Sequence, residues 1–179
     1  MKNPVLIALC LLPFAGLSSC SKDNPGQEPD LTPENIELTA KGAEVIAYGN
    51  EFGIELFTKV AFEEDKNFML SPLSASAALT MLLNGCAGDT YDQLKETLKY
   101  PENISISEIN EVYKSLVSQL LDADPKVKLA LANAIFYRQG FSVKNPFLST
   151  MDNDFNAVFA GLDFSLPSAL TTINKWAAD

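Results

Sequence analysis

The chain has 179 residues, of which 47% are hydrophobic and 20% are charged, and this composition is typical of a globular domain with a packed core. Its 23 acidic and 13 basic side chains give a formal net charge of −10, which argues against nucleic-acid binding because phosphates require a basic surface. The chain has no histidine, so metal sites and nucleophilic catalysis that depend on histidine are not expected, and neither is a cofactor.

The N-terminus is typical of a leader for export. Lys2 gives a positive start, and residues 5–16 form an apolar run that is too short to span a bilayer permanently. This pattern predicts a signal peptide over residues 1–19.

The leader ends in Leu17-Ser18-Ser19-Cys20, which resembles a bacterial lipobox. In that motif the cysteine takes a diacylglycerol and becomes the mature N-terminus, so Cys20 is the predicted lipid attachment site. An ordinary signal peptide with an incidental cysteine is the alternative. Polar residues with several prolines follow, and we expect a flexible tether over residues 20–40 that holds an exported chain on the bacterial cell envelope or cell surface.

The mature domain is expected over residues 41–179, and it begins with helices. Apolar residues recur three or four positions apart in much of this region, which is the spacing of an amphipathic helix. The predicted helices cover residues 42–62, 73–83, 90–98 and 105–121, a short segment capped by Asn145-Pro146, and residues 167–176.

Several helix starts carry residues that favour capping. Ser71 precedes a proline, and serine is a favoured N-cap while proline is favoured in the first turn. Thr90 and Gln93 fit a capping box. Ser105 and Glu108 fit a second one. The helix after Ser71 is apolar on almost every side, so we expect other elements to cover it all round.

Three segments predict strands, namely residues 68–70, 126–138 and 156–164. In the second, side chains alternate between two faces along thirteen positions, which is long for a strand. Helices followed by strands indicate the α+β class. A long strand with two packable faces needs neighbours, and one other strand of any length is predicted, so the sequence predicts an incomplete fold.

Four sequence blocks resemble the serpin family in their order and spacing. Residues 67–79 resemble the strand that leads into helix B, and residues 85–90 are similar to the turn that follows it. Residues 129–136 resemble the central strand of the large sheet, sheet A. Residues 162–164 and 173–176 are similar to the approach to helix F and to its core.

The resemblance implies a serpin-like α+β fold that is incomplete and contains the N-terminal helices A to F with the first strands of sheet A. It also implies a suicide-substrate mechanism. A serine or cysteine protease cleaves an exposed reactive loop, becomes acylated, and is trapped when the loop inserts into sheet A as an extra strand. Such an inhibitor is not an enzyme and needs no catalytic residue. We therefore expect the truncated N-terminal part of an inhibitor that is monomeric when complete and whose reactive loop is absent from this chain.

Two other functions stay open at this point. The chain is alternatively a complete small α+β lipoprotein that acts as a binding module. It is alternatively a non-inhibitory serpin with a binding or chaperone-like role. The target protease is a partner only in the inhibitor interpretation, whereas the membrane is a partner through Cys20 in all three.

The resemblance assigns roles to five residues. Ser71 and Ser74 match hydroxyls of the shutter, the region beneath the place where sheet A opens; a plain N-cap and a small packing residue are the alternatives. Asn133, which the resemblance also assigns to the shutter region, interrupts an apolar strand face, where a buried amide must be hydrogen-bonded; a ligand role is the alternative. Asn174 and Trp176 match the core of helix F, where packing is the expected role.

Overall fold

The structure is a computed structural model that describes residues 30–178. These residues form an α+β fold, as predicted, with six helices and two strands. The helices are α1 (Ala40–Glu63), α2 (Pro72–Leu83), α3 (Asp89–Thr97), α4 (Ile106–Asp122), α5 (Asn145–Phe155) and α6 (Pro167–Ala178). The strands are β1 (Asn133–Arg138) and β2 (Ala157–Leu162). The predicted signal peptide 1–19, Cys20 and the tether as far as residue 29 lie outside the described residues.

Residues near the end of the predicted tether 20–40 contact α4. The backbone N–H of Glu34 donates to the carbonyl of Ala123 at 2.7 Å, at the C-terminal end of α4. The Gln119 side chain accepts from the N–H of Glu37 at 2.7 Å and donates to the Glu37 carbonyl at 3.1 Å. These hydrogen bonds connect residues 34–37 to the C-terminal half of α4.

Three clusters of buried apolar side chains hold the elements together. The first joins α1, α2 and the end of α3, the second joins α1 to the start of α4, and the third joins α2 to α5 and β2. Their buried members are Phe52, Leu83 and Leu98; Val45, Ile104 and Ile109; and Met81, Met151, Phe155 and Ala157.

The helix α1 crosses the start of α2 at Gly53. A β-carbon added to Gly53 would lie 2.8 Å from the β-carbon of Pro72, whereas carbon atoms in contact are normally about 3.5–4.0 Å apart. Glycine is therefore required for this close approach, which fixes the position of the first turn of α2.

Within residues 30–178, neighbouring elements cover α2 on one face only. One face carries its buried residues, Ala77, Thr80, Met81 and Leu83. The opposite face, with Ser74, Ala78 and Leu82 four positions apart, is exposed, and Leu82 is 55% exposed. An apolar composition shows that a helix can be buried. Which of its faces are buried depends on which other elements pack against it.

The capping box predicted at the start of α4 is present. Ser105 Oγ accepts from the N–H of Glu108 at 3.3 Å, and Glu108 Oε2 accepts from the N–H of Ser105 at 2.8 Å. Lys41 of α1 donates to Glu108 Oε1 at 3.1 Å. Hydrogen bonds from Ser105, and then from Lys41, lower the pKa of Glu108 to about 2.

Two other predicted caps are wrong. The N-cap of α3 is Gly88, whose φ of 56° is a conformation that glycine adopts readily, so Thr90 lies within the helix and forms no capping box. The N-cap of α5 is Lys144 rather than Asn145, and it makes no side-chain cap bond. The proline after Asn145 fits the first turn from either start, so it does not identify the cap.

Two strand predictions also need correction. Residues 68–70 form no strand, and the side chain of Met69 is 97% exposed. The strand predicted over 126–138 is observed only as Asn133–Arg138, since residues 126–132 have no strand partner in the described part of the chain. Alternation predicts a strand wherever it occurs, but a strand forms only where another strand pairs with its backbone.

The two strands pair in parallel, with Asn133 opposite Ala157 and Arg138 opposite Leu162. A parallel pair needs a crossover, and α5 supplies it. The helix ends at Asn156, which adopts the left-handed conformation at φ 48° and turns the chain into β2. The predicted strand 156–164 is thus shorter at both ends.

The helix α6 contacts β1 through an aromatic pair. The rings of Trp176 and Phe136 meet edge to face with centroids 5.8 Å apart. Asn174 is exposed within residues 30–178, and its packing role stays a prediction. Two residues along a helix correspond to a rotation of about 200°, which places Asn174 away from the contact that Trp176 makes.

Candidate functional site

The two predicted shutter hydroxyls lie side by side at the start of α2. Ser71 is the N-cap, and its Oγ accepts from the N–H of Ser74 at 3.3 Å. The Oγ atoms of Ser71 and Ser74 are 2.9 Å apart, so one hydroxyl donates to the other. Both residues are exposed. Each hydroxyl therefore has capacity to bond a further group without breaking the cap.

Asn133 lies at the first position of β1 and makes hydrogen bonds to two other elements. Its Nδ2 donates to the carbonyl of Phe155 at 2.8 Å and to the hydroxyl of Tyr113 at 3.4 Å. The rings of Tyr113 and Phe155 stack with centroids 4.7 Å apart. Because the carbonyls in the last turn of a helix lack helical partners, Asn133 satisfies one of them and joins α4, α5 and β1.

The structure does not bring the predicted site residues into one cluster. Within residues 30–178, the hydroxyls of Ser71 and Ser74 make no hydrogen bond to β1 or β2. Asn133 bonds to α4 and α5, and Trp176 contacts β1 by its ring alone. These residues therefore stabilise different contacts between elements and do not form a shared reaction centre.

A polar network within the helices was not predicted from the sequence. The hydroxyls of Thr80 and Tyr100 are 3.0 Å apart. The amides of Asn84 and Asn110 pair reciprocally, with Asn84 Nδ2 to Asn110 Oδ1 at 3.0 Å and Asn110 Nδ2 to Asn84 Oδ1 at 2.8 Å. Asn84 Nδ2 also donates to the Thr80 carbonyl at 2.9 Å.

This network joins α2 to α4 in a buried place. Thr80 and Asn110 are almost fully buried, and burial raises the pKa of Tyr100 despite the hydrogen bond to Thr80. A sequence signal did exist, because Asn110 stands three positions before Tyr113 on the apolar stripe of α4. A polar residue on such a stripe indicates a buried partner.

An apolar groove of about 550 Å³ lies between α1, α2 and α4. Gly49 and Gly53 form part of its floor, and a β-carbon on Gly49 would meet no atom within 4 Å. Phe57 at its edge is 51% exposed. The other side chains that line it include Val45, Ile54, Leu73, Val112, Tyr113 and Leu116.

Within residues 30–178, no group of three or more Cys, Asp or Glu side chains is placed to hold a metal ion. In the same part of the chain, every helix is too short or too polar to cross a membrane.

The fold and the predicted site define an α+β domain in which packed helices support two adjacent strands of a sheet. The family model described as serpin (serine protease inhibitor) matches residues 47–179. The chain belongs to the serpin family.

Named relatives and solved structures agree with this assignment. Human neuroserpin is 28% identical over 70% of this chain and 31% of its own length. Human Serpin I2 is 31% identical over 70% of this chain and 31% of its own length. The crystal structure of human thyroxine-binding globulin matches with a TM-score of 0.70 and 26% identity, covering 77% of this chain and 38% of that protein. This chain thus spans about a third of the length of the relatives it matches.

Proposed function

We propose that this chain is the N-terminal part of a serpin that inhibits serine or cysteine proteases by trapping them after cleavage of a reactive loop. The observation that carries the proposal is the serpin family match over residues 47–179, which includes β1, β2 and the helices beneath them. In the family mechanism, the cleaved loop enters the large sheet as an added strand and carries the protease with it.

The geometry supports a role for β1 in that sheet. One edge of β1 pairs with β2, and the backbone groups of a strand's other edge are able to bond a further strand. Asn133 fixes the start of β1 to α4 and α5. We infer that the hydroxyls of Ser71 and Ser74, which already cap α2, bond strand backbone in the complete protein as the sheet opens.

The inhibitor proposal is tested with the protein as its gene encodes it, including any residues that follow Asp179. Trypsin-like, chymotrypsin-like and papain-like proteases are incubated with it, diluted, and assayed for residual activity. We expect at least one protease to stay inactive after dilution while the inhibitor is cut once. Recovery of every protease on dilution would contradict the proposal.

We also propose that the protein is exported and held on the bacterial cell envelope by lipid on Cys20. The support is the sequence Leu17-Ser18-Ser19-Cys20 after a short apolar run. In a bacterial host the protein should partition with membranes and incorporate radiolabelled palmitate, and Cys20→Ala should lose both properties. Equal labelling of the variant would refute lipid attachment at this residue.

A second candidate function is a non-inhibitory serpin that binds an apolar small molecule. Two observations favour it, namely the groove of about 550 Å³ and the similarity to a protein named for binding thyroxine. Because Gly49 faces open space in the groove, Gly49→Leu should fill it and weaken binding of an apolar fluorescent dye. Gly49→Ala is the matched control. Equal dye binding by both variants would exclude the groove.

A further inference from the structure

Asn84 and Gly85 form the one Asn-Gly pair in the chain, at the point where α2 ends. Glycine after asparagine leaves the backbone nitrogen unhindered, so this pair is chemically prone to deamidation. The nitrogen of Gly85 attacks Cγ of Asn84, the side-chain nitrogen leaves as ammonia with the displaced proton, and a cyclic imide forms. Water then opens the imide at either carbonyl and leaves aspartate or isoaspartate.

The folded backbone opposes this reaction. Asn84 has helical angles, φ −61° and ψ −23°, and the imide ring cannot close at this ψ. The N–H of Gly85 donates to the carbonyl of Leu82 at 2.9 Å. The attacking nitrogen is therefore engaged in the end of α2.

The side chain of Asn84 is also held away from that nitrogen. Its Nδ2 donates to the carbonyl of Thr80 at 2.9 Å and to Asn110 Oδ1 at 3.0 Å, and its Oδ1 accepts from Asn110 Nδ2 at 2.8 Å. Rotating Cγ toward Gly85 breaks all three hydrogen bonds. Asn110 is 4% exposed, so its amide would be left buried without a partner.

The packing explains why glycine occupies position 85. A β-carbon there would lie 3.2 Å from Cε2 of Phe147, on α5. Any larger residue would press against this ring, so the contact between α2 and α5 favours glycine. The reactive pair is thus a consequence of two packing requirements, the amide pair on one side and the Phe147 contact on the other.

We propose that Asn84 is a deamidation site that the amide pair with Asn110 protects, so that it reacts only in molecules in which α2 and α4 have separated. The product cannot restore the pair. An aspartate at position 84 presents two acceptor oxygens, which face the Thr80 carbonyl and the Asn110 amide. Rotating the Asn110 amide does not restore the pair. Asn110 has one NH₂ group and one carbonyl oxygen, so in either orientation its carbonyl oxygen faces an oxygen of the aspartate. Deamidation therefore makes the separation of α2 and α4 irreversible.

The test uses the protein as its gene encodes it, with any residues that follow Asp179, and measures the rate of conversion at Asn84 by peptide mapping and mass spectrometry at one pH and temperature. In the folded chain we expect conversion roughly tenfold or more slower than in urea, because reaction requires local opening. Asn110→Ala removes the pair and should raise the rate in the folded chain above that of the folded parent, while the helical backbone at Asn84 keeps it below the rate in urea. Glu108→Gln is the matched control, since it weakens the start of the same helix but leaves the amide pair intact, and it should stay near the parent rate.

Three results would overturn the proposal. They are equal rates for the parent in buffer and in urea, an Asn110→Ala rate that equals the folded parent rate, and equal acceleration by Glu108→Gln and Asn110→Ala. If Asn110→Ala does not fold by circular dichroism, two variants of Asn84 decide. Asn84→Asp should have a lower urea midpoint than Asn84→Ala, because it adds oxygen–oxygen contacts to the loss of the pair. Equal midpoints would refute the claim that the product keeps α2 and α4 apart.

Discussion

Replacing Gly53 by alanine should destabilise the chain through a single contact, the one where α1 crosses α2. The added β-carbon would lie 2.8 Å from Cβ of Pro72. That atom belongs to a ring in the first helical turn, which cannot rotate away as a flexible side chain can. Overpacking of this kind typically costs about 1–3 kcal/mol. Alanine is also the better helix former by about 1 kcal/mol, which offsets part of the loss.

The matched control is Gly49→Ala, one turn earlier on α1, where the β-carbon would meet nothing within 4 Å. It gains the same helix propensity without the contact, so the difference between the two variants isolates the clash. We expect urea unfolding, followed by far-ultraviolet circular dichroism, to show Gly53→Ala less stable than Gly49→Ala by about 1–3 kcal/mol. Equal stabilities would refute the reasoning about this crossing, because propensity alone would then explain both.

Three further predictions concern side chains whose hydrogen bonds connect or cap elements of the fold. Ser71→Ala removes the N-cap of α2 and should lower the free energy of unfolding by about 1 kcal/mol. Asn133→Ala leaves the Phe155 carbonyl without its hydrogen bond from Asn133 and should cost about 1–3 kcal/mol. Hydrogen bonds from Ser105 lower the pKa of Glu108 from 4.5 to about 2, so the stability it contributes is present above pH 4.5 and is lost as the pH falls toward 2. Glu108→Gln should flatten the dependence of the urea midpoint on pH in that interval.

The first two predictions each have a control variant on the same chain. Ser74→Ala keeps the N-cap and should cost less than Ser71→Ala. Asn174→Ala removes an exposed amide and should change stability by no more than about 0.5 kcal/mol. If Asn133→Ala is as stable as Asn174→Ala, the hydrogen bond from Asn133 to the Phe155 carbonyl does not stabilise the fold. If the urea midpoint of Glu108→Gln changes with pH as much as that of the parent, the carboxylate of Glu108 does not contribute the stability assigned to it.

Local interactions were the part of the fold that could be predicted from the sequence. The Ser105 and Glu108 capping box involves residues three apart, and it forms as predicted. Ser71 caps α2 for the same reason. The apolar spacing of α1 and α4 likewise predicts their buried faces, because helical spacing is fixed by backbone geometry.

The features that were not predicted depend on contacts between distant residues. Asn84 and Asn110 are 26 positions apart, and their pairing requires the arrangement of α2 and α4 to exist first. The acceptor of Asn133 is a backbone carbonyl 22 positions away, which leaves no trace in the side-chain pattern. The strand predicted over 126–138 was too long because alternation does not reveal where β2 begins and ends.

The proposed inhibitor function predicts a covalent complex between the complete protein and a protease. Its most direct test is denaturing gel electrophoresis of the protein as encoded, with any residues that follow Asp179, after incubation with an active serine protease. We expect a band at the summed mass of inhibitor and protease that survives boiling in detergent, and no such band with a protease whose catalytic serine is replaced by alanine. Cleavage of the inhibitor without any such band, for every protease in the panel, would contradict covalent trapping and favour the ligand-binding function.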